Sequence, residues 1–343
     1  MRIFLLLTLA VLSAGTASTA AATDAPVPVN AAVPVDAQVR YLDTVVVSGR
    51  QPGPGLWRVS NGDHDLWILG TVAPVPKRME WYSPKTEAVL AQSQEIIGQP
   101  GIAASLTAGG MFRAAFAMPT MLRTRKNPDG KTLRDVLPAD LYARWSSLKA
   151  MYLGKDKAVE SWRPIFAAGH LYQAALDHAG LVFSNGVEKR IAKLEDKHDI
   201  KHTSTMSRHE IRDPKRLAKS FAASEIDDIA CFRNMLDRLE LDVVQAAERA
   251  NAWAVGDIGE LRRLIARDEL QSCFDAIANT EMARSMGMDQ SYQQSEARWI
   301  AAATAALTTN RTSFAVLPVR KLLDPEGPLA RLQAKGYTVV APE

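Results

Sequence analysis

The chain has 343 residues, of which 47% are hydrophobic and 23% are charged, so it can build one large or two modest folded domains. Its formal net charge of +3 is small for this length. Proteins that bind nucleic acid usually carry clustered Lys and Arg on a much more basic domain, so no nucleic-acid partner is expected.

The first segment has the features of a cleavable export signal. Arg2 supplies a positive charge, Ile3 to Leu12 form an apolar run, and small residues follow. The apolar run is too short for a membrane-spanning helix, which takes about 20 residues, and this order of segments is typical of a secretory signal peptide. We predict a signal peptide over residues 1–22, cleavage near Ala20 to Ala22, and a periplasmic or secreted mature protein.

The two cysteines, Cys231 and Cys273, lie far from the predicted cleavage site, which excludes lipid attachment through the signal. No later stretch approaches the roughly 18 consecutive apolar residues of a membrane span, so we expect no transmembrane segment after cleavage. Export places both cysteines in an oxidising compartment, and no C-x-x-C motif or nearby histidine indicates a metal site or reactive thiol. We predict a Cys231–Cys273 disulfide, which loop-closure entropy makes worth about 4 kcal/mol.

Residues 23–55 are rich in Ala, Pro, Val and Gly, a composition typical of a linker. Tyr41 to Val47 is strand-like within it. A linker with one short strand and a linker that is disordered throughout both fit this pattern. The folded domain is predicted over residues 56–343.

The folded domain opens with a predicted β-hairpin. Two strand-like runs, Leu56 to Val59 and Asp65 to Leu69, flank Asn61-Gly62, which is a strong hairpin signal. A helix over Ala88 to Ser93 and a short strand over Glu95 to Ile97 follow.

Residues 103 to about 270 are predicted to be mostly helical. Phe232 to Val244 has helical spacing, and Asp257 with Glu260 forms a predicted capping box at the start of the next helix.

The end of the chain returns to strands. The predicted elements are a helix over Trp299 to Leu307, a strand over Ser313 to Leu317, a helix over Pro328 to Lys335 and a strand over Tyr337 to Val340. The fold class is therefore α/β, with a mixed central sheet formed by N-terminal and C-terminal strands and a large helical middle section.

Both ends of the folded domain resemble the TraB/GumN/PrgY family. The resemblance is carried by Leu56 to Val59, Leu66 to Thr71, Phe314 to Val316 and Gly327 to Val339, and it covers residues 55 to 341. The family is similar to the Tiki metalloproteases and to the erythromycin-esterase/ChaN-like fold. The resemblance thus implies an α/β core with helices packed around it.

In that family the first strand ends in G-T-x-H, a carboxylate follows the next strand, and the last strand runs into a second G-x-x-H. The resemblance implies that these groups hold a divalent metal, which imidazole nitrogens and carboxylate oxygens suit. This chain departs at each point. Its first motif is Gly70-Thr71-Val72-Ala73, Gln99 stands where relatives carry Glu, and Leu317 and Arg320 replace the second Gly and His.

These substitutions remove the implied metal ligands. Ala73 offers no lone pair, Gln99 is a neutral and weak ligand, and Arg320 is permanently protonated and repels a cation. Ser295 and Glu296 also stand where relatives carry an Arg-Asn pair. We expect no metal and no other cofactor. Arg320 either lies solvated or salt-bridged on the surface or binds an anionic group of a ligand or partner.

Other histidines give weaker signals. His198 and His202 are spaced as on one helix face, with Glu195 before them, but the Lys-rich segment is typical of a solvated surface. His209-Glu210 lacks the second histidine of a zincin motif.

A rigid loop follows the first motif and either lines a cleft or packs against the domain. It contains Pro74, Pro76 and Trp81.

The leading hypothesis is an exported family member without metal-dependent catalysis that binds an unknown envelope protein or small ligand. No catalytic residue is assigned. One alternative is an active hydrolase or peptidase with a relocated site, using His64 with Asp63 or Asp65, although a polar hairpin tip also accounts for these residues. The other alternative, an accessory factor in cell-envelope or exopolysaccharide processes, rests on the resemblance alone.

Overall fold

The computed structural model describes residues 53–79, 81, 83–183, 186–223, 228–265, 283–284 and 290–342. The predicted signal peptide, the linker up to residue 52 and its strand-like run over Tyr41 to Val47 lie outside the described residues. These expectations therefore stay predictions.

The described residues form ten strands and twelve α-helices. The strands are β1 (Leu56–Asn61), β2 (His64–Thr71), β3 (Val75–Pro76), β4 (Glu95–Ile97), β5 (Ile102–Leu106), β6 (Leu181–Val182), β7 (Lys201–Thr203), β8 (Ser207–Ile211), β9 (Thr312–Pro318) and β10 (Thr338–Val340). The helices are α1 (Pro84–Gln92), α2 (Ala108–Thr124), α3 (Leu133–Val136), α4 (Ala139–Tyr152), α5 (Pro164–His178), α6 (Val187–His198), α7 (Pro214–Ala223), α8 (Asp228–Val255), α9 (Ile258–Leu264), α10 (Ser291–Thr309), α11 (Val319–Leu322) and α12 (Pro328–Gln333).

A six-stranded mixed sheet forms the centre, in the order β10-β1-β2-β9-β4-β7. β2, β9, β4 and β7 run parallel, while β1 is antiparallel to both of its neighbours. The predicted hairpin is confirmed, with Gly62 in its turn at a positive φ of 63° that suits glycine. The prediction that strands from both ends of the chain share one sheet is confirmed as well.

The sheet is buried in the main hydrophobic core. The sequence of β9 does not alternate between apolar and polar residues. The reason is that four successive side chains are buried, namely Phe314, Ala315, Val316 and Leu317. A strand covered on both faces reads as a continuous apolar run. Helices α6, α8, α9, α10, α11 and α12 contribute buried residues to the same core.

The middle section is mostly helical, as predicted, but it also contains strands that the sequence analysis missed. β7 adds to the central sheet, β6 pairs with β3, and β8 pairs with β5 in a separate two-stranded sheet. These strands have two to five residues, which is too few for a period-two pattern to stand out.

A second hydrophobic core lies among α3, α4, α5 and the first part of α8. α8 has 28 residues, so it extends about 42 Å and contributes to both cores. The helix predicted over Phe232 to Val244 is part of it. At the start of α9, the Asp257 side chain accepts the Glu260 N–H, but the Glu260 carboxylate binds Arg263, so only half of the predicted capping box forms.

None of the helices in the described residues combines the length and the apolar character needed to cross a membrane.

Candidate functional site

The carboxyl ends of three parallel strands meet at one edge of the central sheet. Gly70 in β2 lies opposite Leu317 in β9, and Ala315 in β9 lies opposite Ile97 in β4. Parallel strands end on the same side, and ligands of open α/β sheets usually bind there. We call this side, formed by residues 71–73, 97–99 and 318–320, the carboxyl edge.

All three substituted positions stand at the carboxyl edge. Ala73, Gln99 and Arg320 each lie two residues beyond the end of β2, β4 and β9, respectively, and each is exposed to solvent. The topology therefore brings together positions that are up to 247 apart in the sequence.

Gly70 has a packing role at this edge. A Cβ atom added there would lie 2.5 Å from Val319 Cγ2 and 2.8 Å from Trp57 Cζ3, closer than real Cβ atoms approach. The Gly70 carbonyl accepts a hydrogen bond of 2.5 Å from the indole Nε1 of Trp253 in α8. The glycine of the first motif is thus required by the core, whatever stands at position 73.

The loop after β4 is held by the strand beside it. The Gly98 N–H donates to the Thr203 carbonyl at 3.0 Å, and the Thr205 hydroxyl donates to the Gly98 carbonyl at 2.8 Å. A Cβ atom at Gly98 would lie 3.0 Å from His202 Nε2, so the imidazole packs over this loop next to Gln99.

His202 does not share a helix face with His198. α6 ends at His198, Asp199 adopts a left-handed conformation with φ 50°, and His202 belongs to β7, so that prediction was wrong. His202 Nδ1 instead lies 3.1 Å from the Glu195 carboxylate. His198 is exposed, as expected for a solvated segment.

The charge of Lys321, the residue after Arg320, is matched by Glu296. Lys321 Nζ lies 3.0 Å from the Glu296 carboxylate and 5.1 Å from the centre of the Tyr292 ring. Burial disfavours the charged form of Lys321, but the interactions with Glu296 and Tyr292 together outweigh it, so the pKa of Lys321 is raised. Burial also raises the pKa of Tyr292. Glu296 thus stabilises the cationic helix α11.

A polar cluster that the sequence analysis missed joins β8 to the start of α10. His209 Nε2 lies 2.6 Å from Ser291 Oγ, and the Ser207 hydroxyl donates to the Ser291 carbonyl at 2.6 Å. Arg298 donates to Ser207 Oγ at 2.5 Å and to the Thr205 carbonyl at 3.3 Å. Since Thr205 also binds Gly98, this cluster adjoins the carboxyl edge. Its members are up to 93 positions apart and form no motif, so no sequence signal joins them.

His64 lies away from the carboxyl edge, where β2 begins. Its Nδ1 donates to the Asn310 carbonyl at 2.8 Å, and its Nε2 lies 3.6 Å from Asp63. Asp65 accepts two hydrogen bonds from Arg58, at 2.9 and 2.8 Å. These contacts fix the hairpin against the start of β9. They give His64, Asp63 and Asp65 structural roles in the hairpin.

The loop after the first motif packs against the domain. Pro74 is buried, Pro76 belongs to β3, and the Trp81 ring stands edge-on to Trp253 with centroids 5.5 Å apart. Of the two interpretations that the sequence left open, these contacts favour packing.

Cys231 is buried in α8. Cys273 lies outside the described residues, so the predicted Cys231–Cys273 disulfide stays a prediction.

The model of the TraB/PrgY/gumN family matches residues 55–341, from the start of β1 to the end of β10. The chain belongs to this family. Comparisons with curated proteins and with solved structures return no match to it.

In this TraB/PrgY/gumN family member, the side chains at the carboxyl edge do not fit a divalent metal. Ala73 has no donor atom, Gln99 offers only a neutral amide, and Arg320 carries a permanent positive charge. In the described part of the chain, no group of three or more His, Cys, Asp or Glu side chains is arranged to hold a metal ion.

Proposed function

We propose that this chain is an exported TraB/PrgY/gumN family protein that acts by binding, without metal-dependent catalysis. The carboxyl edge would hold an anionic group of an envelope protein or small ligand. The proposal rests on one observation: Ala73, Gln99 and Arg320 replace the implied ligands at one edge of the sheet, and one replacement adds an exposed guanidinium. Arginine presents a planar set of donors that suits carboxylate and phosphate groups.

Two features support binding over residual metal chemistry. Gly70 satisfies close packing, so the glycine of the first motif is explained without a metal. Glu296 forms an ion pair with Lys321, the residue after Arg320, so a neighbouring carboxylate stabilises the positive charge of α11. Export is supported by the order of charged, apolar and small residues over positions 1–22.

Metal analysis tests the negative half of the proposal. The purified mature protein would be dialysed with Zn²⁺ and Mn²⁺, washed, and measured for bound metal, then screened against peptide and ester substrates with and without a chelator. We expect far less than one metal ion per chain and no chelator-sensitive turnover. A stoichiometric metal, or turnover that the chelator abolishes, contradicts the proposal.

Site-specific cross-linking tests the positive half. A photo-reactive amino acid would replace Gln99 at the carboxyl edge or, as a matched control, Asp63 at the opposite end of β2; both positions are exposed. We expect a discrete cross-linked product in the cell envelope from position 99 that position 63 does not give. Adding the Arg320→Ala substitution to the position-99 variant should reduce the yield of this cross-linked product. Equal products from both positions, or none from position 99, contradict a binding role for this edge.

A second candidate function is favoured by the contact between His209 and Ser291. A hydroxyl 2.6 Å from an imidazole nitrogen is the geometry of a serine nucleophile and its general base. His209 Nε2 would take the hydroxyl proton as Ser291 Oγ attacks the acyl carbon of an ester or amide, and it would return that proton to the alcohol or amine that leaves when the acyl bond breaks; water would then hydrolyse the acyl-enzyme. A fluorophosphonate probe tests it. The probe should label the protein, Ser291→Ala should abolish that labelling, and Ser295→Ala should leave it intact. This result would favour a serine hydrolase over a binding protein.

A further inference from the structure

Helix α2 presents large apolar side chains to solvent. Phe112 and Phe116 are 71% and 70% exposed, with ring centroids 5.1 Å apart, and Met111, Met118 and Leu122 are also exposed. At 3.6 residues per turn, these five side chains span roughly 160° of the helix circumference. We call them the α2 surface.

The orientation of α2 is fixed by small residues on its other side. Gly110 and Ala117 are buried, and α2 packs against α7. A Cβ atom at Gly110 would lie 2.6 Å from the Ile211 carbonyl oxygen, so only glycine allows this approach. Surface helices normally bury their large apolar residues and expose their polar ones. α2 instead exposes large apolar side chains and packs small residues against the domain, so its apolar face has no place in the core.

The apolar face is accompanied by positive charge. Residues 101–126 contain no Asp or Glu and carry Arg113, Arg123, Arg125 and Lys126. The adjacent helix α7 adds exposed basic residues, namely Lys215, Arg216 and Lys219. The chain as a whole has a net charge of only +3, so this part concentrates cations well beyond the average.

The charge decides between two occupants of the α2 surface. In a symmetric dimer the same face of each copy would meet, which would bring the positively charged surface around Arg113 and Arg123 of one copy toward that of the other. An anionic lipid surface instead takes apolar side chains below its headgroups while arginines remain at headgroup level. Phe, Met and Leu beside Arg are the residues of helices that lie in a membrane interface.

We propose that the α2 surface binds the interface of a membrane that contains anionic phospholipid, with Phe112 and Phe116 inserted and Arg113 and Arg123 at the headgroups. This mode of attachment needs no spanning helix. It depends on neither the carboxyl edge nor the metal-ligand substitutions, so it stands or falls independently of the proposed function.

Vesicle co-sedimentation of the mature protein tests the proposal. Vesicles of phosphatidylglycerol with phosphatidylethanolamine are compared with vesicles of phosphatidylcholine alone. We expect binding to the anionic vesicles that the double variant Phe112→Ser/Phe116→Ser weakens by at least about tenfold. Val244→Ser changes another exposed apolar side chain, on α8, and should leave binding unaltered. Arg113→Gln/Arg123→Gln should weaken binding roughly thirty-fold, since each cation near such a surface contributes about fivefold.

Circular dichroism of the variants checks that they fold, as expected for exposed positions. Two results would overturn the proposal. One is no binding to anionic vesicles, or binding that the Phe112→Ser/Phe116→Ser variant retains. The other is a concentration-dependent dimer that this variant dissociates, without vesicle binding, which would assign the α2 surface to a second copy of the chain.

Discussion

The indole N–H of Trp253 donates to the carbonyl oxygen of Gly70 over 2.5 Å and joins the end of α8 to the first residue of the first motif, in β2. Both residues are buried, so the carbonyl has no access to water if its donor is lost. The bond ties α8, the longest helix in the described part of the chain, to the strand that ends at the carboxyl edge. The packing of this edge is thus set by contacts of Gly70 rather than by any group at position 73.

Trp253→Phe keeps a ring in the core and removes the N–H. We expect the free energy of unfolding to fall by about 1–3 kcal/mol, since a buried acceptor is left unpaired. Urea unfolding followed by circular dichroism measures it. Trp67→Phe, at a half-buried position on the same strand as Gly70, is the control and should change stability by less than about 1 kcal/mol. Equal effects of the two variants would show that the hydrogen bond contributes nothing.

The carboxylate of Asp242 is fully buried in the helical core, and its partners neutralise it. Arg249 Nη2 donates to it at 2.8 Å, Arg238 Nε donates at 2.7 Å, and the Tyr172 hydroxyl also donates. Burial, followed by the charge of Asp242, raises the pKa of Tyr172, so the phenol stays protonated as a donor.

Asp242→Asn removes the negative charge and leaves the buried Arg249 without a counter-ion. A broken buried ion pair typically lowers stability by about 3–5 kcal/mol. Asp237→Asn, one turn earlier on α8, removes an ion pair with Arg144 that is partly exposed, and it should lower stability by less than about 1 kcal/mol. Thermal and urea unfolding of both variants decide the matter; similar losses would contradict the special role of Asp242.

Glu95, buried at the start of β4, predicts a dependence of stability on pH. Burial disfavours its charged form, but hydrogen bonds from Thr203, Lys201 and Asn310 outweigh it, so the pKa of Glu95 is lowered. A lowered pKa means that the folded state holds the carboxylate more strongly than the unfolded chain does. The resulting stability is fully present above the ordinary pKa of Glu, about 4.3, and is lost as the pH falls through the lowered value.

Glu95→Gln should therefore be less stable than the parent protein near neutral pH, and the difference should shrink as the pH falls below about 4. Urea midpoints measured across this range give the comparison. Glu326→Gln, at an exposed position, serves as the control and should track the parent protein at every pH. A difference for Glu95→Gln that does not change with pH would rule out this role of its charge.

Much of the sheet could be predicted from sequence because its strands carry local signals. Asn61-Gly62 marks the hairpin, and the buried run over Phe314 to Leu317 is apolar throughout. The strand order and β7 could not be predicted, because pairing depends on long-range packing and three residues carry no readable period. His202 shows the consequence: a spacing of four after His198 is typical of a helix, yet the helix ends between them.

The candidate site was predictable only in part, and for a similar reason. Gly70-Thr71 fixes the register of the first motif, so the substitution at Ala73 can be identified without a structure. The contact between His209 and Ser291 joins β8 to α10 across 82 positions, and neither residue belongs to a motif. Glu296 could be identified as a departure from relatives, but its role toward Lys321 appears only when α10 and α11 are packed together.

Export and the disulfide can be tested on one sample. The envelope fraction of cells that produce the full chain should yield a protein that begins near Thr23 and in which both cysteines resist alkylation under denaturing conditions until a reductant is added. Denaturation is needed because Cys231 is buried. Cys231→Ser/Cys273→Ser should lose about 2–5 kcal/mol of stability. Alkylation of both cysteines without reductant would contradict the disulfide, and an uncleaved N-terminus would contradict the signal peptide.

Leu317 makes the altered second motif hard to reverse. Its side chain is fully buried in the main core, at the position where the resemblance implies a glycine. Leu317→Gly would open a cavity and add backbone freedom to a central strand, so we expect a loss of at least about 3–5 kcal/mol.

Arg320→His restores the other residue of that motif at an exposed position, and it should change stability by less than about 0.5 kcal/mol. Urea unfolding of the two variants makes the comparison, and a mild effect of Leu317→Gly would mean that the core can collapse around the missing side chain. Replacing Arg320 alone should therefore be structurally neutral, whereas returning to the full motif would require the core to be repacked around position 317, so packing as well as charge opposes a return to that motif.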